Sequence, residues 1–122
     1  SILQKECCLY QIVYYTTERG DSPVKEFLNA LDKKSRAKAM TYLSLLEKEG
    51  PNLKRPYADH VSGKLRELRI QYSSNEYRIL YFFYMHNQIV LLHAFSKKTQ
   101  QLREHDIDLA ERRMEAWIKQ YS

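Results

Sequence analysis

Residues 64–95 read KLRELRIQYSSNEYRILYFFYMHNQIVLLHAF, and the fold turns on how this stretch is read. Apolar and aromatic runs alternate with short polar breaks, SSNE at 73–76 and HNQ at 86–88. That pattern predicts strands over about 64–72, 77–85 and 89–95. Connections this short make neighbouring strands antiparallel, so the stretch predicts a meander. The runs 79–84 and 89–92 are apolar without strict alternation. Strands of that kind are expected where both faces of a sheet are covered.

The same stretch places charge where it needs explaining. Side chains alternate along a strand. Leu65, Glu67 and Arg69 therefore share one face, and Arg66, Leu68 and Ile70 the other. Arg78 falls with Leu80 and Phe82. The SSNE turn brings Arg69 and Arg78 close, but whether they share a face depends on register, which sequence leaves open. On a common face, two guanidiniums form a planar multi-donor clamp suited to phosphate oxygens. The competing reading pairs Arg69 or Arg78 with Glu67 or Glu76, closing a sheet surface. The residues alone do not choose between them.

Working outward, LYQIVYY at 9–15 has the composition of another strand. GDSP follows, where Asp21 or Ser22 can cap a helix and Pro23 suits its first turn. That helix is expected over about 23–31, presenting Val24, Phe27, Leu28 and Leu31. Asp32 can cap a second helix, about 33–49, with Ala39, Met40, Leu43 and Leu46 at helical spacing. Gly50 and Pro51 stop it. Residues 51–62 read as a polar loop carrying Lys54 and Arg55, and 96–104 as a basic connector. A last helix, about 105–120, carries Ile107, Ala110, Met114, Trp117 and Ile118 in one stripe. The order is β-α-α-β-β-β-α. It predicts an α+β fold: a small antiparallel sheet of about four strands, an N-terminal helix hairpin and a C-terminal helix.

Composition bounds the function. The 122 residues suit one domain, 1–122, with 43% hydrophobic and 29% charged residues. No basic start followed by an apolar run predicts export, and no window is apolar enough to span a bilayer. Cys7 and Cys8 are adjacent, without disulfide or zinc spacing, and read as free thiols in a reducing cytoplasm. Glycine-rich phosphate loops, HExxH and GxSxG are absent, and the four histidines are scattered, so neither metal nor cofactor is expected. Net charge is +5, but residues 54–103 hold nine Lys or Arg against three acids, so the basic excess is confined there. A confined basic segment suits a phosphate backbone or an acidic protein partner.

Several motifs resemble one family in order and spacing. LEKEGPNL ends the second helix; GKLRELR and YRILYF form the next strands; IVLLHAFSKKTQ and DIDLAERR follow. Across about residues 9–118 the chain resembles the phage-derived Gp49-like branch of the RelE/HigB toxin superfamily. The resemblance implies a RelE-like fold and a type II toxin that cuts mRNA in the ribosomal A site. It also implies a neutralising antitoxin, often a helix-turn-helix protein, and a cytoplasmic setting without membrane contact. Matched positions are Arg69, Arg78 and the basic pair Lys97 and Lys98, with Lys98 at a position that is catalytic in better-studied relatives. The branch usually shows Pro and Glu before the last helix; here Leu102, Arg103 and Asp106 stand there.

The expected chemistry is metal-independent attack of the RNA 2′-oxygen on the adjacent phosphorus. Arg69, Arg78 and Lys98 would carry electrostatic or proton-donor roles, and Glu67 would accept the 2′ proton. Lys54, Arg55, Arg66 and Lys97 would bind the backbone, and Tyr77 would stack on a base. Two other readings remain: a non-catalytic RNA- or ribosome-binding module, and a basic structural partner of an acidic protein.

Overall fold

The computed structural model describes residues 10–97 and 104–122. Lys98, Cys7 and Cys8 lie outside the described residues. Strand β1 (Gln11–Tyr14) leads to helix α1 (Pro23–Ala30) and helix α2 (Lys33–Glu49), then a single 3₁₀ turn, Gly50–Asn52. Four strands follow: β2 (Ala58–Ser62), β3 (Leu65–Tyr72), β4 (Asn75–Tyr84) and β5 (Gln88–Ser96). Helix α3 (Glu104–Tyr121) closes the chain.

The punctuation works as its chemistry requires. Pro23 opens α1, where a missing N–H costs nothing. Asp32 caps α2 by accepting from the Ser35 N–H at 3.4 Å. Gly50 ends α2 at φ 57° and ψ −134°, a conformation reserved for glycine. A side chain there would also run into the Tyr10 ring.

The sheet has five strands in the order β1-β5-β4-β3-β2. The predicted meander β3-β4-β5 is antiparallel throughout. Two features correct the expected four-stranded antiparallel sheet. First, residues within the expected loop form β2, which pairs antiparallel with β3, Ala58 opposite Leu68. Its sequence, ADHVS, is short and polar and buries only Ala58. Pairing with β3, not local propensity, makes it a strand. Second, β1 runs parallel to β5, Gln11 opposite Gln88 to Tyr14 opposite Leu91, so the sheet is mixed. Between these two strands the chain runs through both helices and then through β2, β3 and β4, far longer than the dozen or so residues that a parallel pair needs.

Two apolar layers cover the two faces of the sheet. Leu68, Ile70, Ile79, Tyr81, Ile89 and Leu91 pack with Val24 and Leu28 of α1 and Ala39, Leu43 and Leu46 of α2. On the reverse, Leu65, Leu80, Phe82, Val90, Leu92 and Phe95 pack with Ala110 and Trp117 of α3. This double coverage explains the apolar runs of β4 and β5. A register shift next to Leu80 and Tyr81 re-phases β4 against β5.

Candidate functional site

Register decides the site. Tyr72 pairs with Asn75 across a two-residue turn whose first residue, Ser73, has φ 59°. A positive φ at that position matches the right-handed strand twist of a tight hairpin. Counting back, Arg69 lies directly opposite Arg78. Direct partners in an antiparallel pair share a face, so both arginines lie on the α3 side, with Glu67 beside Arg69 and Glu76 beside Arg78. Phe95 of β5 is the other neighbour of Arg78.

The two arginines differ in what surrounds them. Arg78 is buried, at 2% exposure. Its Nε lies 3.1 Å from Glu67 Oε1, its Nη2 donates to Glu76 Oε1 at 3.1 Å, and its Nη1 donates to the Tyr77 carbonyl at 3.3 Å. Between Nε and Glu67 Oε1 the charges are close, but the N–H is not aimed at the oxygen; both atoms are buried without a well-directed hydrogen bond. Arg78, expected as one half of a phosphate clamp, is thus buried and paired with Glu67 and Glu76. Its guanidinium holds Glu67 in place. Glu67 is itself buried at 8%, and since Oε1 is shielded, its remaining exposure belongs to the rest of the side chain.

Arg69 is half-buried and lines a cleft of about 240 Å³ with Tyr42, Pro56, Tyr57, Gln71, Glu76 and Arg78. Its N–H donates to the Tyr57 carbonyl at 2.7 Å, which extends the β2–β3 ladder by one step. Arg69 also lies near Asp59. The Asp59 carboxyl is held below its usual range chiefly by its hydrogen bond from Arg55, with Arg69 adding to the effect.

Lys97 joins the same cluster. Its N–H donates to the Glu76 carbonyl at 2.8 Å, just past the end of β5. Desolvation, then repulsion from Arg78, pushes its ammonium pKa down, while Glu67 and Glu76 oppose the change. The described lysine coupled to the arginine–glutamate cluster is thus Lys97, expected only to bind backbone. A second pair stands nearby: His93 Nε2 lies 2.7 Å from Asp106 Oδ1. Burial lowers the His93 pKa, partly opposed by Asp106, and its ring stacks on Phe95 at 5.2 Å. Asp106 therefore ties the first turn of α3 to β5.

Other expected site residues lie elsewhere. Tyr77 is buried on the opposite face, edge-on to Phe27, its hydroxyl donating to Ser35 Oγ at 3.3 Å, so it offers no surface to a base. Arg66 also points to that face, donating to the Leu53 carbonyl and lying 3.5 Å from the Tyr81 hydroxyl. Lys54 is exposed in the loop before β2. Arg55, beside it, is paired with Asp59 at 2.9 Å. Sequence reasoning missed Tyr57 and Gln71. The one available signal was KRPYAD at 54–59, where two cations precede an aromatic residue.

Among the described residues, no group of three or more His, Cys, Asp or Glu is arranged to hold a metal ion. No helix there is long and apolar enough to cross a membrane. Comparison with curated proteins finds no significant match. Residues 26–115 do match a family model described as phage derived protein Gp49-like, a span running from α1 through most of α3. The chain belongs to the phage-derived Gp49-like family.

Proposed function

We propose that this protein is the toxin of a type II toxin–antitoxin system, an endoribonuclease acting on mRNA in the ribosomal A site. A cognate antitoxin, with a helix-turn-helix domain, would neutralise it. The observation that carries the reading is a carboxylate, an accessible arginine and a lysine of lowered pKa gathered at one end of one sheet face: Glu67, Arg69 and Lys97. Together they supply a proton acceptor, a phosphate ligand and a proton donor.

The nucleophile comes with the substrate. The 2′-hydroxyl is already held beside its phosphorus, so attack is intramolecular and gains from proximity alone. Glu67 accepts the 2′ proton as the 2′-oxygen bonds to phosphorus. The bond from phosphorus to the 5′-oxygen breaks, and Lys97 protonates the departing oxygen. Arg69 neutralises the charge that builds on the phosphoryl oxygens. Arg78 is chiefly a positioning residue: its guanidinium faces the Glu67 carboxylate from the wall of the cleft that Arg69 also lines. Lys98 retains the role that resemblance gives it, a further cation. Products are a 2′,3′-cyclic phosphate and a 5′-hydroxyl end.

The test is message cleavage on translating ribosomes by folded Glu67→Gln and Arg69→Ala variants. Each is expected to lose at least about 100-fold in rate, the scale of general acid–base catalysis. Wild-type rates in both variants would remove the proposed roles. Salt-sensitive association with intact RNA would favour a binding module instead.

A further inference from the structure

Tyr57 sits beside Arg69 because of one backbone bond, from the Arg69 N–H to the Tyr57 carbonyl. It is an exposed aromatic residue, with 39% of its surface open. Its ring meets Tyr42 in a T-shaped contact at 5.5 Å and 71°, an arrangement in which Tyr42 can cover at most one of its faces. The Lys38 ammonium lies 5.7 Å from the Tyr42 ring and 6.0 Å from the Tyr72 ring, placing another cation nearby. The cleft that Tyr57 shares with Arg69, about 240 Å³, falls below the roughly 300–1,000 Å³ of pockets for drug-sized ligands. It is of the order needed for one base.

We infer that this cleft is a nucleobase subsite, in which Tyr57 stacks on the base of a single-stranded ribonucleotide whose phosphate is held by Arg69. The inference rests on the proposed RNA reading and deepens it. A basic groove fitted with an aromatic platform is how sequence-tolerant single-strand sites are built: the cation follows the backbone, and the ring takes any base. Gln71 lines the same cleft and offers amide donors and an acceptor to a base edge. Glu76 lines it too, but its Oε1 is paired with Arg78, which offsets the repulsion a phosphate would meet. The subsite adds discrimination between stacked and unstacked nucleotides, which Arg69 alone does not provide.

Binding is measured by anisotropy with a labelled short single-stranded oligoribonucleotide, 2′-O-methylated to block cleavage. Tyr57→Leu keeps apolar bulk without the ring and is expected to bind about 5- to 100-fold more weakly, the loss of one base–aromatic stack. Tyr57→Phe keeps the ring and is expected to stay within about twofold of wild type. Arg69→Ala is expected to reduce the salt slope by about 1, whereas Tyr57→Leu leaves that slope unchanged. A second readout uses wild-type protein alone: a 5-iodouridine oligonucleotide is photocrosslinked and the adduct mapped, with Tyr57 or Tyr42 expected. Wild-type affinity in Tyr57→Leu, alongside weakened binding in Arg69→Ala, overturns the subsite and leaves the RNA reading standing. Crosslinks mapping away from both tyrosines do the same. No RNA binding by the wild-type protein overturns both.

Discussion

Arg78→Met removes the guanidinium facing Glu67 Oε1 at 3.1 Å while keeping an unbranched apolar side chain in its place. The side chains of this pair are 3% and 11% exposed, so the loss leaves a carboxylate buried without its counterion. Breaking a buried pair this way costs about 3–5 kcal/mol. The N–H is poorly aimed at Oε1, which favours the lower end of that range. The second partner, Glu76, has a side chain 38% exposed, and solvent screening limits its share to about 0–1 kcal/mol. The expected loss is therefore about 3 kcal/mol out of the roughly 5–15 kcal/mol typical of a domain. Glu67→Gln is expected to cost less, about 1–2 kcal/mol, because Arg78 keeps Glu76 and the Tyr77 carbonyl. In the double variant neither charge is stranded, so the losses do not add, and a coupling of about 1–3 kcal/mol is expected. Urea unfolding of the four proteins, with slopes compared, reads each value. Additivity within about 0.5 kcal/mol would refute the claim that Arg78 exists to hold Glu67.

Three further outcomes follow from particular contacts. Burial lowers the His93 pKa below 6.5, so the unfolded chain takes up a proton more readily than the folded one. Stability from His93 is thus present above pH 6.5 and falls as pH drops from there through the folded value; His93→Gln should flatten that segment of a stability-against-pH curve. Tyr77→Phe removes a buried hydrogen bond to Ser35 and should cost about 1 kcal/mol in urea unfolding, yet leave RNA cleavage unchanged because Tyr77 lies on the other face. Lys97 must be protonated to donate, and its pKa is lowered from 10.5, so the basic limb of the pH–rate profile should fall below that value. Lys97→Arg should shift that limb upward.

Local chemistry made much of the fold legible. Asp32 and Gly50 bound α2 at the expected residues, Lys33–Glu49, and the breaks at 73–76 and 86–88 gave the meander. What sequence could not carry was pairing at a distance. β2 is a strand because Leu68 lies across from Ala58, and β1 lies parallel beside β5 although two helices and three strands separate them along the chain. The site divides the same way. Alternation put Glu67 and Arg69 together, but only register set Arg69 opposite Arg78. The choice between clamp and ion pair rested on the burial of Arg78, which depends on the layer packed over the sheet. The burial of Tyr77 was hidden for the same reason: its neighbours in sequence, Glu76 and Arg78, are charged, whereas its neighbours in space are Phe27 and Ser35.

The central claim is that the Glu67 and Arg69 end of the sheet cuts RNA by 2′-oxygen attack. Its most direct measurement is the chemistry of message ends formed when the wild-type protein is supplied to a translation reaction. The expected result is new upstream fragments ending in a 2′,3′-cyclic phosphate and downstream fragments beginning with a 5′-hydroxyl, absent with folded Glu67→Gln. Intact messages, or ends carrying a 5′-phosphate, would contradict it.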